Sequence, residues 1–88
     1  MLAGMTGYSE QAQIVWQARA HYDVAAADLR RASELLREAA QTMQWRSKAA
    51  EQFGVAATEA SAAADTAVSR CEETEDILRE CATYLEWL

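Results

Sequence analysis

Gln44-Trp45-Arg46-Ser47, followed by Lys48-Ala49-Ala50-Glu51-Gln52-Phe53, is where this chain must turn: one apolar heptad pattern runs up to it and a second runs away from it. Upstream, Val15, Ala18, Tyr22, Ala25, Leu29, Ala32, Leu36, Ala39 and Met43 alternate three and four residues apart. On a helix that spacing makes one narrow stripe. Downstream, Ala50, Phe53, Ala57, Ala60, Ala64, Ala67, Cys71, Thr74, Leu78, Cys81, Leu85 and Leu88 repeat the spacing, and only Thr74 among them is polar. Two long stripes joined by a few residues bury each other only if the chain doubles back, so the pattern predicts an all-α, antiparallel two-helix hairpin. Ser47 supplies a start for the second helix, because its hydroxyl can accept from an orphan backbone N–H of the next turn. Glu51 complements the positive end of the helix dipole there, and Lys48 opposes it.

Composition agrees. The chain has 88 residues, no proline, three glycines and 51% hydrophobic residues, enough for one small domain built almost wholly from good helix formers. Two-residue alternation is absent, as are the Asn-Gly and Asp-Gly pairs that join strands, so no sheet is expected.

A net charge of −6 argues against nucleic acid, which is held by clustered Lys and Arg, and against an anionic membrane surface. No apolar run approaches the roughly 18 residues of a membrane-spanning helix, so membrane insertion is not expected. The N-terminal residues have neither the basic region nor the apolar block of a secretory signal peptide.

The expected boundaries form a single hairpin domain over 1–88. Residues 1–8 read as a mobile arm, about 10–44 as the first helix capped by Ser9, 45–47 as the bend, and about 48–88 as the second helix. A first helix of that length is about 50 Å long, so the molecule is expected to be a rod. Asp28 with Arg31, and Glu34 with Arg37, have the spacing of weak surface pairs. Between Cys71 and Leu88 six carboxylates face the single cation Arg79, a run that reads as a solvated face. Gly54 is either a point of close backbone approach or a tolerated surface glycine.

A turn at Trp45 makes opposed residue numbers sum to about ninety-three, so Leu36 meets Ala57, Leu29 meets Ala64 and Tyr22 meets Cys71, large against small. Beside the stripes lie Ala49, Ala56, Ala63, Ile77 and Tyr84 on the second helix. Ile14 and Leu35 flank the first stripe on one side, and Ala12, Ala26 and Ala40 on the other. The apolar sector therefore covers about three positions in seven, as in a four-helix bundle, so the hairpin is expected to dimerise with another hairpin. The interface candidates are Ile14, Trp16, Leu35, Ala49, Phe53, Ala56, Ala63, Ile77, Tyr84 and Trp87. The two tryptophans lie outside the stripes and are expected to form an aromatic cluster where the hairpin ends meet, or to act as exposed anchors.

Catalytic, cofactor-binding and metal-binding residues are all read as none. His21 has no neighbours arranged for general-base work. Cys71 and Cys81 are about 15 Å apart on one helix, too far for a mutual disulfide. Both read as buried thiols, with an interchain disulfide as the alternative. His21 and Cys71 would need ligands from another chain to complete a zinc shell.

The bend residues Trp45-Arg46-Ser47-Lys48-Ala49-Ala50-Glu51-Gln52-Phe53, on a small proline-free hairpin, resemble the WXG (Trp-x-Gly) family of type VII, or ESX, secretion proteins of actinobacteria and Gram-positive bacteria. Trp45 matches the motif tryptophan, and Ser47 stands where glycine is usual. The resemblance implies a homodimeric or heterodimeric four-helix bundle exported folded by a non-Sec route, with the type VII machinery as a further partner. Many members carry a C-terminal Tyr-x-x-x-Asp/Glu signal; here Tyr84 is followed four places later by Leu88. The expected function is thus that of a WXG-like substrate or co-secreted partner, secreted or cytoplasmic before export. The alternatives are a cytoplasmic adaptor that binds the helical targeting region of a larger effector, and a structural coiled-coil segment in which Trp45 is incidental. Enzymatic activity is not expected.

Overall fold

The computed structural model describes residues 2–42 and 47–88, with side chains from Tyr8 onward. It contains two helices, α1 (Leu2–Thr42) and α2 (Lys48–Trp87), and no strand among the described residues. Links between them run Trp16 to Glu86, Arg30 to Glu72 and Arg37 to Asp65, so the helices are antiparallel and the fold is a hairpin. Its principal extents are 73 × 14 × 13 Å. A radius of gyration of 20.1 Å, against about 12 Å for a compact globule of this length, makes it a rod.

That rod is longer than the sequence suggested, because α1 begins at Leu2 and not near Glu10. Ser9 consequently lies inside the helix and caps nothing, and the segment read as an arm is helical from Leu2 onward. Once a helix is nucleated, each added residue fixes one more backbone hydrogen bond, and without proline nothing stops the propagation. The start of α2 matches the expectation. Ser47 has extended backbone (φ −134°, ψ 159°), its Oγ accepts from the Ala50 N–H at 3.1 Å, and Glu51 stands in the first turn. Trp45, the centre of the expected bend, lies outside the described residues.

The register is close to the expected one. Ser33 meets Ser61, and Arg19 reaches the backbone of Glu75, pairs whose numbers sum to ninety-four. Leu36 and Ala57 line the same shallow groove between the helices.

The seam itself is rotated by one position in each helix. On α2 its rows are Ala50, Ala57, Ala64, Cys71, Leu78 and Leu85 with Gly54, Ser61, Val68, Glu75 and Ala82. Phe53, Ala60 and Cys81, expected in the seam, are exposed. On α1 the second row is Ala12, Arg19, Ala26, Ser33 and Ala40, while Ala32 and Ala39 are exposed. Of the nine buried residues among those described, seven are small, Ala12, Ala26, Ser33, Gly54, Ala57, Ser61 and Ala82, and the other two are Val68 and Glu75. Close approach of two helices needs small side chains at the crossing, and Gly54 contributes by having none.

Rotation also changes the polar pairing. Arg31 pairs with Glu34 at 3.6 Å and not with Asp28, and Arg37 leaves Glu34 to reach across to Asp65. Cys71 is half-buried but Cys81 is exposed, so only one of the expected buried thiols is in the seam.

Candidate functional site

The rotated seam gives the rod two unlike sides. On one side the helices are linked by charge: Arg30 Nη2 is 2.5 Å from Glu72 Oε2, Arg37 pairs with Asp65, and Trp16 Nε1 donates to Glu86 Oε1 at 2.7 Å. Arg19 adds a guanidinium 5.8 Å from the Trp16 ring centroid. These side chains are about half exposed, so each link is worth no more than about 1 kcal/mol. All three lie on the same side of the seam.

The opposite side carries what the seam did not use. Nearest the seam, α1 carries Ala18, Ala25, Ala32 and Ala39, and α2 carries Phe53, Ala60, Ala67, Thr74, Cys81 and Leu88, of which Ala18, Ala25, Ala67 and Thr74 at mid-rod are half-buried and the rest exposed. These positions follow from helical spacing relative to the buried residues. No charged residue interrupts either row. Thr74 turns its hydroxyl back to the Arg70 carbonyl at 2.9 Å. Just outside these rows stand Ile14, His21, Asp28 and Leu35 on α1, and Ala49, Ala56, Ala63, Arg70, Ile77 and Tyr84 on α2. An apolar face thus runs along the rod with a few charges on its rim.

Every interface candidate except Trp16 and Trp87 lies on this face, and all are exposed in the single chain. Ile14 is 61%, Leu35 47% and Ile77 57% exposed. Trp16 belongs to the charged side, latched to Glu86. Trp87 is 84% exposed, so the expected aromatic cluster does not form. Ser47 caps α2; Trp45, its partner in the bend motif, lies outside the described residues.

The total accessible surface is 6611 Å². A compact monomer of 9.7 kDa exposes about 5,100 Å², so the chain carries an excess of about 1,500 Å². A standard interface removes about 800 Å² from each partner, and obligate dimers remove about 1,000 to 2,500 Å². The excess follows from the elongated shape, 73 × 14 × 13 Å, which has more surface for its volume than a globule.

Sequence reasoning missed a polar cluster in the seam. Ser33 Oγ lies 2.8 Å from Asp65 Oδ1 and 2.8 Å from Ser61 Oγ. The carboxylate only accepts, so Ser33 donates to Asp65 and Ser61 donates to Ser33; Arg37 closes the cluster on Asp65. His21, twelve residues from Ser33 along α1, is about 18 Å away and is not part of it. The groove beside this cluster, about 300 Å³ over Leu36, Ala40 and Ala57, is lined also by Arg37, Ser61 and Asp65 of the cluster itself. Among the described residues no three His, Cys, Asp or Glu side chains converge as metal ligands, and no helix is long and apolar enough to cross a membrane.

No protein-family model matches the chain, and neither a curated protein nor a solved structure matches it.

Proposed function

We propose that this chain works by pairing: its apolar face covers that of another helical hairpin to complete a four-helix bundle, as a homodimer or a heterodimer. The observation that carries the proposal is the rotation of the seam. Salt links and small residues claim one side of each helix, and the side bearing Ile14, Leu35, Phe53, Ile77 and Tyr84 is left for a partner.

Within that class, the chain is a WXG-like subunit of a type VII (ESX) system, a substrate or co-secreted partner that leaves the cell by a non-Sec route. Support comes from the bend sequence Trp45-Arg46-Ser47 followed by Lys48-Ala49-Ala50-Glu51-Gln52-Phe53 and from the hairpin itself. Fractionating culture medium from cells with and without a working ESX system tests it. Protein found outside only when the system works supports the proposal. Protein retained in the cell and recovered with a larger helical effector would favour a cytoplasmic adaptor instead. Trp45→Ala, followed for both export and dimerisation, separates a recognition role of the bend from a structural one.

A further inference from the structure

We propose that the charged side of the rod holds a site for an aliphatic diammonium cation, gripped by Glu75 and Asp23. The site lies away from the apolar face and stands whether or not the chain pairs.

Glu75 is the anomaly that points to it. It occupies the seam row of Gly54, Ser61, Val68 and Ala82, whose other members are small or apolar, and it is only 7% exposed. A carboxylate taken out of water needs a partner. The cation opposite is Arg19, but its Nε–H goes to the Glu75 backbone carbonyl at 3.2 Å and its guanidinium lies over the Trp16 ring. Arg30 is spent on Glu72, and Arg79 pairs with Asp76 at 3.4 Å. Among the described residues, nothing bonds or pairs with the Glu75 carboxylate. No fully buried side-chain oxygen or nitrogen there lacks a partner, so the Glu75 oxygens are the part that opens outward.

They open into a hollow of about 390 Å³ lined by Arg19, Asp23, Arg30, Glu72, Glu75 and Asp76. Four carboxylates face two guanidiniums there, leaving two negative charges. Asp23 is the second carboxylate without a partner among the described residues. Opposed residues sum to ninety-four, so Asp23 stands level with Cys71, four residues and about 6 Å along the rod from Glu75. Two unclaimed charges that far apart suit a dication whose charges are also separated. A single metal ion fits poorly, since no three carboxylates converge on one point among the described residues. A short aliphatic diamine has the required charge, span and size, and each ammonium donates up to three hydrogen bonds to acceptor-only oxygens.

Titration of the full chain with 1,4-diaminobutane at constant ionic strength, followed by the backbone amide signals around Glu75, tests the site. Saturable one-to-one binding is expected, about fivefold or more tighter than that of butylammonium, which has one charge on the same carbon chain. Glu75→Gln keeps the side chain's shape and is expected to weaken binding about fivefold or more; Asp23→Asn, on an exposed residue, should do the same without touching the seam. Glu73→Gln removes an equal charge outside the hollow and is expected to leave binding as in wild type. Circular dichroism confirms that each variant remains helical. Unsaturated, linear shifts with diaminobutane overturn the proposal. So does an equal loss in Glu73→Gln, which would mean diffuse attraction to the net charge, and so does tighter binding of magnesium than of the diamine. Butylammonium binding as tightly as diaminobutane overturns the pairing of Glu75 with Asp23.

Discussion

Ser33 and Ser61 meet hydroxyl to hydroxyl at 2.8 Å in the middle of the seam, and Ser33 is 1% exposed. A buried hydroxyl in an alanine-rich interface has no packing reason to be there. Its value is positional: sliding α2 by one heptad would set Ser33 against Gly54 or Val68 and Ser61 against Ala26 or Ala40, and both cross-helix bonds would be lost. The pair therefore favours one register in a seam whose other layers are nearly interchangeable.

Ser33→Ala is accordingly expected to destabilise the hairpin by about 1 kcal/mol, the usual worth of a buried hydrogen bond, read from urea unfolding. The double variant with Asp65→Ala should cost less than the two singles added together, because they share one network. Strict additivity would show that the cluster does not act as a unit.

Two neighbouring alanines should respond in opposite ways to the same substitution. Ala57 is buried where the helices approach, so Ala57→Leu overpacks the seam and should lose about 1–3 kcal/mol of stability. Ala56 is exposed on the apolar face, so Ala56→Leu should leave the hairpin's helicity unchanged and alter only self-association. Circular dichroism at low concentration combined with light scattering distinguishes the outcomes. Equal loss of helicity in both would put Ala56 in the seam.

Placing a charge on the apolar face should break pairing without unfolding the chain. Ile77→Lys or Leu35→Lys, each on a residue about half exposed in the single chain, is expected to weaken dimerisation at least tenfold, about 1.4 kcal/mol or more. Helix content measured at matched low concentration should hold. A dimer of undiminished affinity would show that the partner sits elsewhere.

Salt should tighten self-association. Each chain carries −6, so two copies repel at long range, whereas the covered face is apolar. Sedimentation at about 0.02 M and about 0.5 M NaCl is expected to give the stronger dimer at high salt, since the Debye length falls from roughly 20 Å to under 5 Å. Weakening by salt would mean that ionic contacts dominate the interface.

Much of this was legible in the residues themselves. Heptad spacing on both sides of Trp45, the missing proline and the Ser47 cap are local signals, and they specify two helices, an antiparallel return and a register correct to about one residue. The breadth of the apolar sector was legible too, because it depends only on counting positions around a helix. The clean start at Ser9 was misread, since a good N-cap residue does not stop a helix that can continue through it.

What the linear pattern determined, then, was that two helices fold on each other and that they carry more apolar surface than one contact uses. Which edge of that sector turns inward was decided only by the tertiary structure. Phe53 and Gly54, or Ala32 and Ser33, are neighbours with nearly equal claims on a seam position, and hydrophobicity alone prefers Phe53. The choice goes to Gly54 and Ser33 because close packing of the backbones, the Ser33–Ser61–Asp65 cluster and the links from Arg30 and Arg37 act together, across residues far apart in the chain.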